Sequence, residues 1–145
     1  MTYVMADIHG KFDAFMSMLE LIKFDKTTDR LYILGDNIDW GKQSIEVMQY
    51  CMENQDYVTT LMGNHEWMMI QFFKEAITDV RNNYHPWMRN GGKKTLAQLN
   101  YKVTRAVRQR LLSWVKTLPY FKKTLPAARG VPQIFLIPPR SRIAL

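Results

Sequence analysis

Three short blocks of one design constrain this chain more than anything else in it. In each, an apolar run of strand length stops at a turn and delivers oxygen- and nitrogen-bearing side chains. The central block is Leu31-Tyr32-Ile33-Leu34, followed by Gly35-Asp36-Asn37-Ile38-Asp39-Trp40-Gly41. Before it, Tyr3-Val4-Met5-Ala6 runs into Asp7-Ile8-His9-Gly10. After it, Tyr57-Val58-Thr59-Thr60-Leu61-Met62 runs into Gly63-Asn64-His65-Glu66. Open α/β sheets build their ligand sites at the C-terminal ends of strands. A single Asp or His at a strand end is usually a cap or a turn residue. Three such tips in one short chain point to a metal site assembled across neighbouring strands.

The segments between the blocks have helical spacing. Residues 11–24 place Phe12, Phe15, Met16, Leu19 and Ile22 on one face. Ser44 to Glu53 does the same with Ile45, Val47, Met48, Tyr50 and Cys51. Polar turns at Asp25–Asp29 and Asn54–Asp56 separate helix from strand. The order β-α-β-α-β predicts parallel strands joined by right-handed crossovers. Residues 66–80 read as a third helix, apolar almost all round, which predicts burial or a cover over the site. Its methionines read as core filler. Residues 81–95, with Asn90-Gly91-Gly92, read as a loop. Thr104 to Thr117 reads as a helix with a basic face, ended by Leu118-Pro119.

The three tips spell D-x-H-G, G-D-x-x-D and G-N-H-E in order. In these residues the chain resembles the calcineurin-like metallophosphoesterases, and most of all their phosphoprotein phosphatase branch, the small bacterial and phage serine/threonine phosphatases. A W-x-x-N-G-G segment at Trp87 to Gly92 extends the similarity. The resemblance covers residues 1–121, and it implies an α/β fold with a β-α-β-α-β parallel core. It also implies two divalent ions, manganese, iron or zinc. Asp7 and His9 would bind the first, Asp36 would bridge both, and Asn64 would bind the second and meet the substrate. His65 would protonate the leaving alkoxide, and Asp39 would orient that imidazole; a neighbouring carboxylate stabilises imidazolium. Glu66 reads as a first-turn helix acid rather than a catalyst, and His85 as a loop residue.

One position departs from the pattern. Trp40 stands where the family has an arginine that makes bidentate bonds to phosphate, bonds that tryptophan cannot make. Arg89 is the candidate replacement for substrate binding, with Lys42 as another.

The tail departs further. Residues 122–145 are proline-rich and carry five Lys and Arg but no acid. Gln133 to Ile137 has strand character, but a histidine-bearing H-A-G block expected after it reads Ile137-Pro138-Pro139. A later G-H-T block has no counterpart. The chain therefore divides into residues 1–121, the N-terminal part of a metallophosphoesterase domain, and an atypical tail over 122–145. The tail reads as truncated or out of frame. The fold would be partial, lacking the second C-terminal sheet, with one ion retained, little or no activity and an uncovered sheet edge that invites self-association.

The expected reaction is metal-dependent hydrolysis of a phosphomonoester, with a phosphorylated protein as the natural substrate. The alternatives are a symmetrical diadenosine tetraphosphate hydrolase and a non-catalytic degenerate fragment. Charge bears on the partner. All thirteen acids lie at or before Asp79, whereas fourteen of the twenty Lys and Arg follow it. That basic half could suit nucleic acid, but no groove-reading motif or stacking array accompanies it, so a phosphoester partner is preferred. No apolar run reaches membrane-spanning length. The start runs straight into a strand, and Cys51 stands alone. These features lead us to expect a cytoplasmic protein.

Overall fold

A computed structural model of the chain describes residues 1–75, 85–123 and 134–136. Three strands, β1 (Thr2–Met5), β2 (Arg30–Ile33) and β3 (Val58–Thr60), form a parallel sheet in the order β1-β2-β3. Tyr3 lies opposite Leu31, and Leu31 opposite Val58. Because the strands are parallel, all three tips leave the same edge. Helices α1 (Phe12–Leu21) and α2 (Ser44–Glu53) make the crossovers. The β-α-β-α-β expectation is met, and the second helix has the expected bounds.

Alternation explains the strands. Leu31 and Ile33 of β2 are fully buried, while Arg30 is exposed and Tyr32 half-buried. With Val47, Met48, Val58, Met69 and Leu111 the two buried residues belong to one core. Cys51 lies there as a small apolar residue, its thiol pushed up to about 12 by burial.

Helix α3 (Asn64–Glu75) begins at the third tip; the rest of the helix expected to Val80 lies outside the described residues. Met68 and Met69 are core filler, as expected. Trp67 differs: it is 46 % exposed, so α3 buries a stripe rather than its whole circumference.

The loop expected over 81–95 is corrected in its described part. Met88–Gly92 form a kinked helical turn, and α4 (Lys93–Tyr101) follows at once. The Asn90-Gly91 pair makes only a local kink, with Gly91 at φ 88°. The buried face of α4 is Thr95, Gln98 and Leu99. That spacing is helical, but two of the three are polar, so apolar periodicity passes over it. Gln98 has a tertiary task. Its Oε1 accepts from Ser44 N at 2.8 Å and Ile45 N at 3.4 Å, capping α2, whose own N-cap residue makes no side-chain bond.

Helix α5 (Arg105–Lys116) is capped by Thr104, and the chain then turns at Pro119, whose carbonyl accepts from Met62 N at 2.8 Å. This ties the end of α5 to the third tip. Leu111, fully buried on α5, anchors the helix. Leu111→Ala is expected to lower unfolding free energy by about 2–5 kcal/mol, measurable by urea denaturation. A change below about 1 kcal/mol would show that α5 is not packed as described.

Two further strands, β4 (Phe121–Lys123) and β5 (Ile134–Leu136), pair antiparallel as a separate ribbon. The strand expected at Gln133–Ile137 is β5; its partner β4 has no signal in the sequence pattern. This ribbon is the extent of C-terminal sheet among the described residues. The remainder of the tail, including the Ile137-Pro138-Pro139 position, lies outside them.

Candidate active site

The tips are laced together by backbone. His9 N donates to Asp36 O at 3.0 Å, Gly10 N to Asn37 O at 2.8 Å, and Gly41 N to His9 O at 2.9 Å. Asp7, His9, Asp36, Asp39 and Trp40 all have positive φ, between 49° and 73°. Left-handed backbone in non-glycine residues is strained, and it clusters where side chains must be aimed. The third tip approaches so closely that a Cβ on Gly63 would overlap the Asp36 backbone nitrogen and Oδ1. Gly63→Ala is therefore expected to push these tips apart and to abolish metal retention and any turnover, read by elemental analysis of the purified variant. Retention equal to the parent chain would show that the tips tolerate separation.

Glu66 is the clamp. It is buried, and its carboxylate accepts from Asn37 N at 2.7 Å, Asp36 N at 2.9 Å and Gly63 N at 3.0 Å. The bond to Gly63 is half of a capping box at the start of α3; the other two reach across to the second tip. Burial, then the adjacent Asp36 charge, pushes its carboxyl up to about 7 against its backbone N–H donors. The sequence reading of a first-turn acid holds, but it does not contain this joining of two tips.

Asp39 and His65 meet as expected, with Asp39 Oδ2 accepting from His65 Nδ1 at 2.7 Å. A carboxylate only accepts, so Nδ1 carries the hydrogen and Nε2 is the nitrogen left outside this bond. Burial opposes charge on His65, but the Asp39 bond with the Asp39, Asp36 and Glu66 charges outweighs it, so its pKa is raised. Asp39 is fully buried and saturated with donors. Trp87 Nε1 donates to Oδ2 at 2.8 Å and the Thr95 hydroxyl to Oδ1 at 2.6 Å. Asp39 N in turn donates to Ser44 Oγ and Thr95 Oγ1. Sequence reasoning does not identify Trp87 and Thr95 as site residues; the W-x-x-N-G-G similarity is the available signal for the first. His85 is a bend residue, as expected of a loop position, but a buried one. It is buried against Phe72, and its Nδ1 accepts from Trp87 N at 3.1 Å, which holds the Trp87 backbone in place. Burial lowers its pKa, with Glu75 opposing.

The calcineurin-like phosphoesterase family model matches residues 2–136. The chain belongs to this family. It is 28 % identical over 122 residues to a symmetrical bis(5′-nucleosyl)-tetraphosphatase of Psychromonas ingrahamii, covering 84 % of this chain and 39 % of that protein. It is 33 % identical over 90 residues to serine/threonine-protein phosphatase 2 of Escherichia coli, covering 62 % and 38 %. Among solved structures, a proposed diadenosine tetraphosphatase superposes with TM-score 0.57 at 19 % identity, covering 81 % of this chain and 42 % of that one. A Saccharomyces cerevisiae serine/threonine phosphatase gives 0.50 at 17 %, covering 83 % and 38 %. At such identities the structures speak for the fold alone. The chain spans 39 % and 38 % of the first two curated relatives it matches.

Calcineurin-like phosphoesterases use divalent metals, and the setting of His9 fits a cation. His9 Nδ1 donates to Ile38 O at 2.9 Å, which leaves Nε2 with a free lone pair, 3.9 Å from Asp7 Oδ1. A ligating histidine is fixed by a bond of this kind from its other nitrogen. At the other tips, the Asn64 amide stands against the Asp36 carboxylate, its nitrogen donating to Oδ1 at 3.2 Å and Oδ2 at 2.8 Å. Among the described residues, no three His, Cys, Asp or Glu side chains gather tightly enough to hold an ion.

Arg89 is exposed on the kinked turn, and no side-chain hydrogen bond joins it to the tips among the described residues. Lys42 is exposed, and its carbonyl accepts from Lys102 Nζ. No helix among the described residues is long and apolar enough to cross a membrane.

Proposed function

We propose that this chain hydrolyses phosphoesters with metal assistance, a phosphomonoester and water giving alcohol and phosphate. The observation that carries the reading is the His65–Asp39 pair, set at the same sheet edge as Asp7, His9, Asp36 and Asn64. His65 Nε2 gives its proton to the leaving oxygen. Asp39 holds the ring in the matching tautomer and balances the imidazolium charge. Asp7, His9, Asp36 and Asn64 would hold the divalent ion or ions, of manganese, iron or zinc, which when bound would polarise phosphoryl oxygen and make water nucleophilic. Manganese-dependent release of p-nitrophenol from p-nitrophenyl phosphate, lost on chelation and restored by manganese, tests this. Turnover no greater than that of His65→Asn would overturn it.

Two substrate readings compete within this chemistry. Phosphoserine or phosphothreonine is supported by the Escherichia coli relative. A dinucleoside tetraphosphate is supported by the tetraphosphatase relatives. Relative kcat/KM for a phosphopeptide and diadenosine tetraphosphate separates them.

The second ion is the weaker part of the site. Asp36 and Asn64 are the ligands that the matching blocks of this chain offer it, and catalytic ions are usually held by about three protein ligands. The expected result is one manganese per chain by elemental analysis, with slow turnover. Two firmly held ions per chain would show that further ligands complete the site.

A further inference from the structure

We propose that Trp40 is a base-stacking platform, and that the phosphoester taken by this site carries an aromatic nucleobase; the proposal rests on the phosphoester reading above. Trp40 directly follows Asp39 in the second tip, and it is 49 % exposed. It is held in place from two directions. Its carbonyl accepts from Lys94 Nζ at 2.6 Å. Its ring lies against Gly91, where a Cβ would stand 2.9 and 3.1 Å from two indole carbons. The kinked turn therefore backs the indole, while much of the residue stays open. A backed aromatic loses little freedom when a ligand covers it.

The surroundings select the ligand's charge. Arg89, Lys93 and Lys94 belong to the turn and helix that back the indole, Lys42 lies two residues after it, and all four are exposed. An aromatic face beside a cationic rim suits a molecule with both a π surface and phosphate. A nucleotide has both in every copy; a phosphoserine peptide supplies only the phosphate. The position itself agrees. An indole cannot make bidentate bonds to phosphate, so what Trp40 adds to the site is surface for stacking.

The test compares two ligands that differ by a nucleoside and lack a hydrolysable bridge: the methylene-bridged analogue of ADP, and methylenediphosphonate. Both are titrated calorimetrically into the full chain in manganese buffer. Trp40→Ala is expected to weaken the ADP analogue about tenfold and methylenediphosphonate less than about twofold. Trp40→Phe should keep most of the preference, because it keeps a ring at the same backbone position. Trp40→Arg should reverse the pattern, strengthening the base-free ligand and weakening the other. Equal losses for both ligands, or an unaffected ADP analogue in Trp40→Ala, would overturn the platform. A base preference that depends on Trp40 in a chain that fails to hydrolyse p-nitrophenyl phosphate would uphold the platform and overturn the hydrolase reading.

Discussion

Glu66→Ala is expected to lower the melting temperature by about 10 °C and to remove any phosphatase activity. The three backbone donors at Asp36, Asn37 and Gly63 all end on this one carboxylate. Truncation leaves them without an acceptor in a buried place, and each unsatisfied buried donor costs about 1–3 kcal/mol. Water entering the vacated volume would recover part of this, so a net loss of about 3 kcal/mol is expected. For a chain of this length each kcal/mol is worth roughly 3 °C. Activity should fall even where the variant is folded, because the same bonds set the second tip against the third. Glu66→Gln should fall between, since its amide keeps one acceptor and turns a donor toward other donors. Calorimetric melting and p-nitrophenyl phosphate turnover check both. A shift below about 2 °C in the alanine variant would show that the tips are held by other means.

Asp36→Asn and His65→Asn should fail in different ways. His65→Asn removes the proposed proton donor and is expected to lower kcat by about a hundredfold or more, with metal content preserved. Asp36→Asn removes the charge of a proposed ligand beside Asn64, so bound manganese itself should be lost. Elemental analysis gives a readout that does not depend on turnover. Equal loss of manganese in the two variants would refute this division between holding the ion and moving the proton. His65 N also donates to Asp36 Oδ1 at 3.0 Å, a bond that either substitution can disturb, so folding should be checked by circular dichroism.

The sheet and its tips are legible because their signals are local. Alternation in β2, helical spacing in α2 and the turn after Leu34 are each written within a few residues. Parallel order then sends Asp7, Asp36 and His65 to one edge without further information. The Asp39–His65 pairing is expected from the resemblance, and the structure places the two atoms at 2.7 Å. What holds Asp39 in place is not legible. Trp87 and Thr95 come from a segment far along the chain, residues 81–95, which reads as a loop because Asn90-Gly91-Gly92 breaks it and Thr95 is polar. Apolar periodicity reports which side chains leave water for a core. It is silent on polar side chains that are buried because a distant partner satisfies them. Sequence by itself therefore determined the parallel frame and the residues at its edge. Only the tertiary structure decided that Glu66 joins two tips and that Trp87 and Thr95 saturate Asp39, because hydrogen bonds between distant segments have no period.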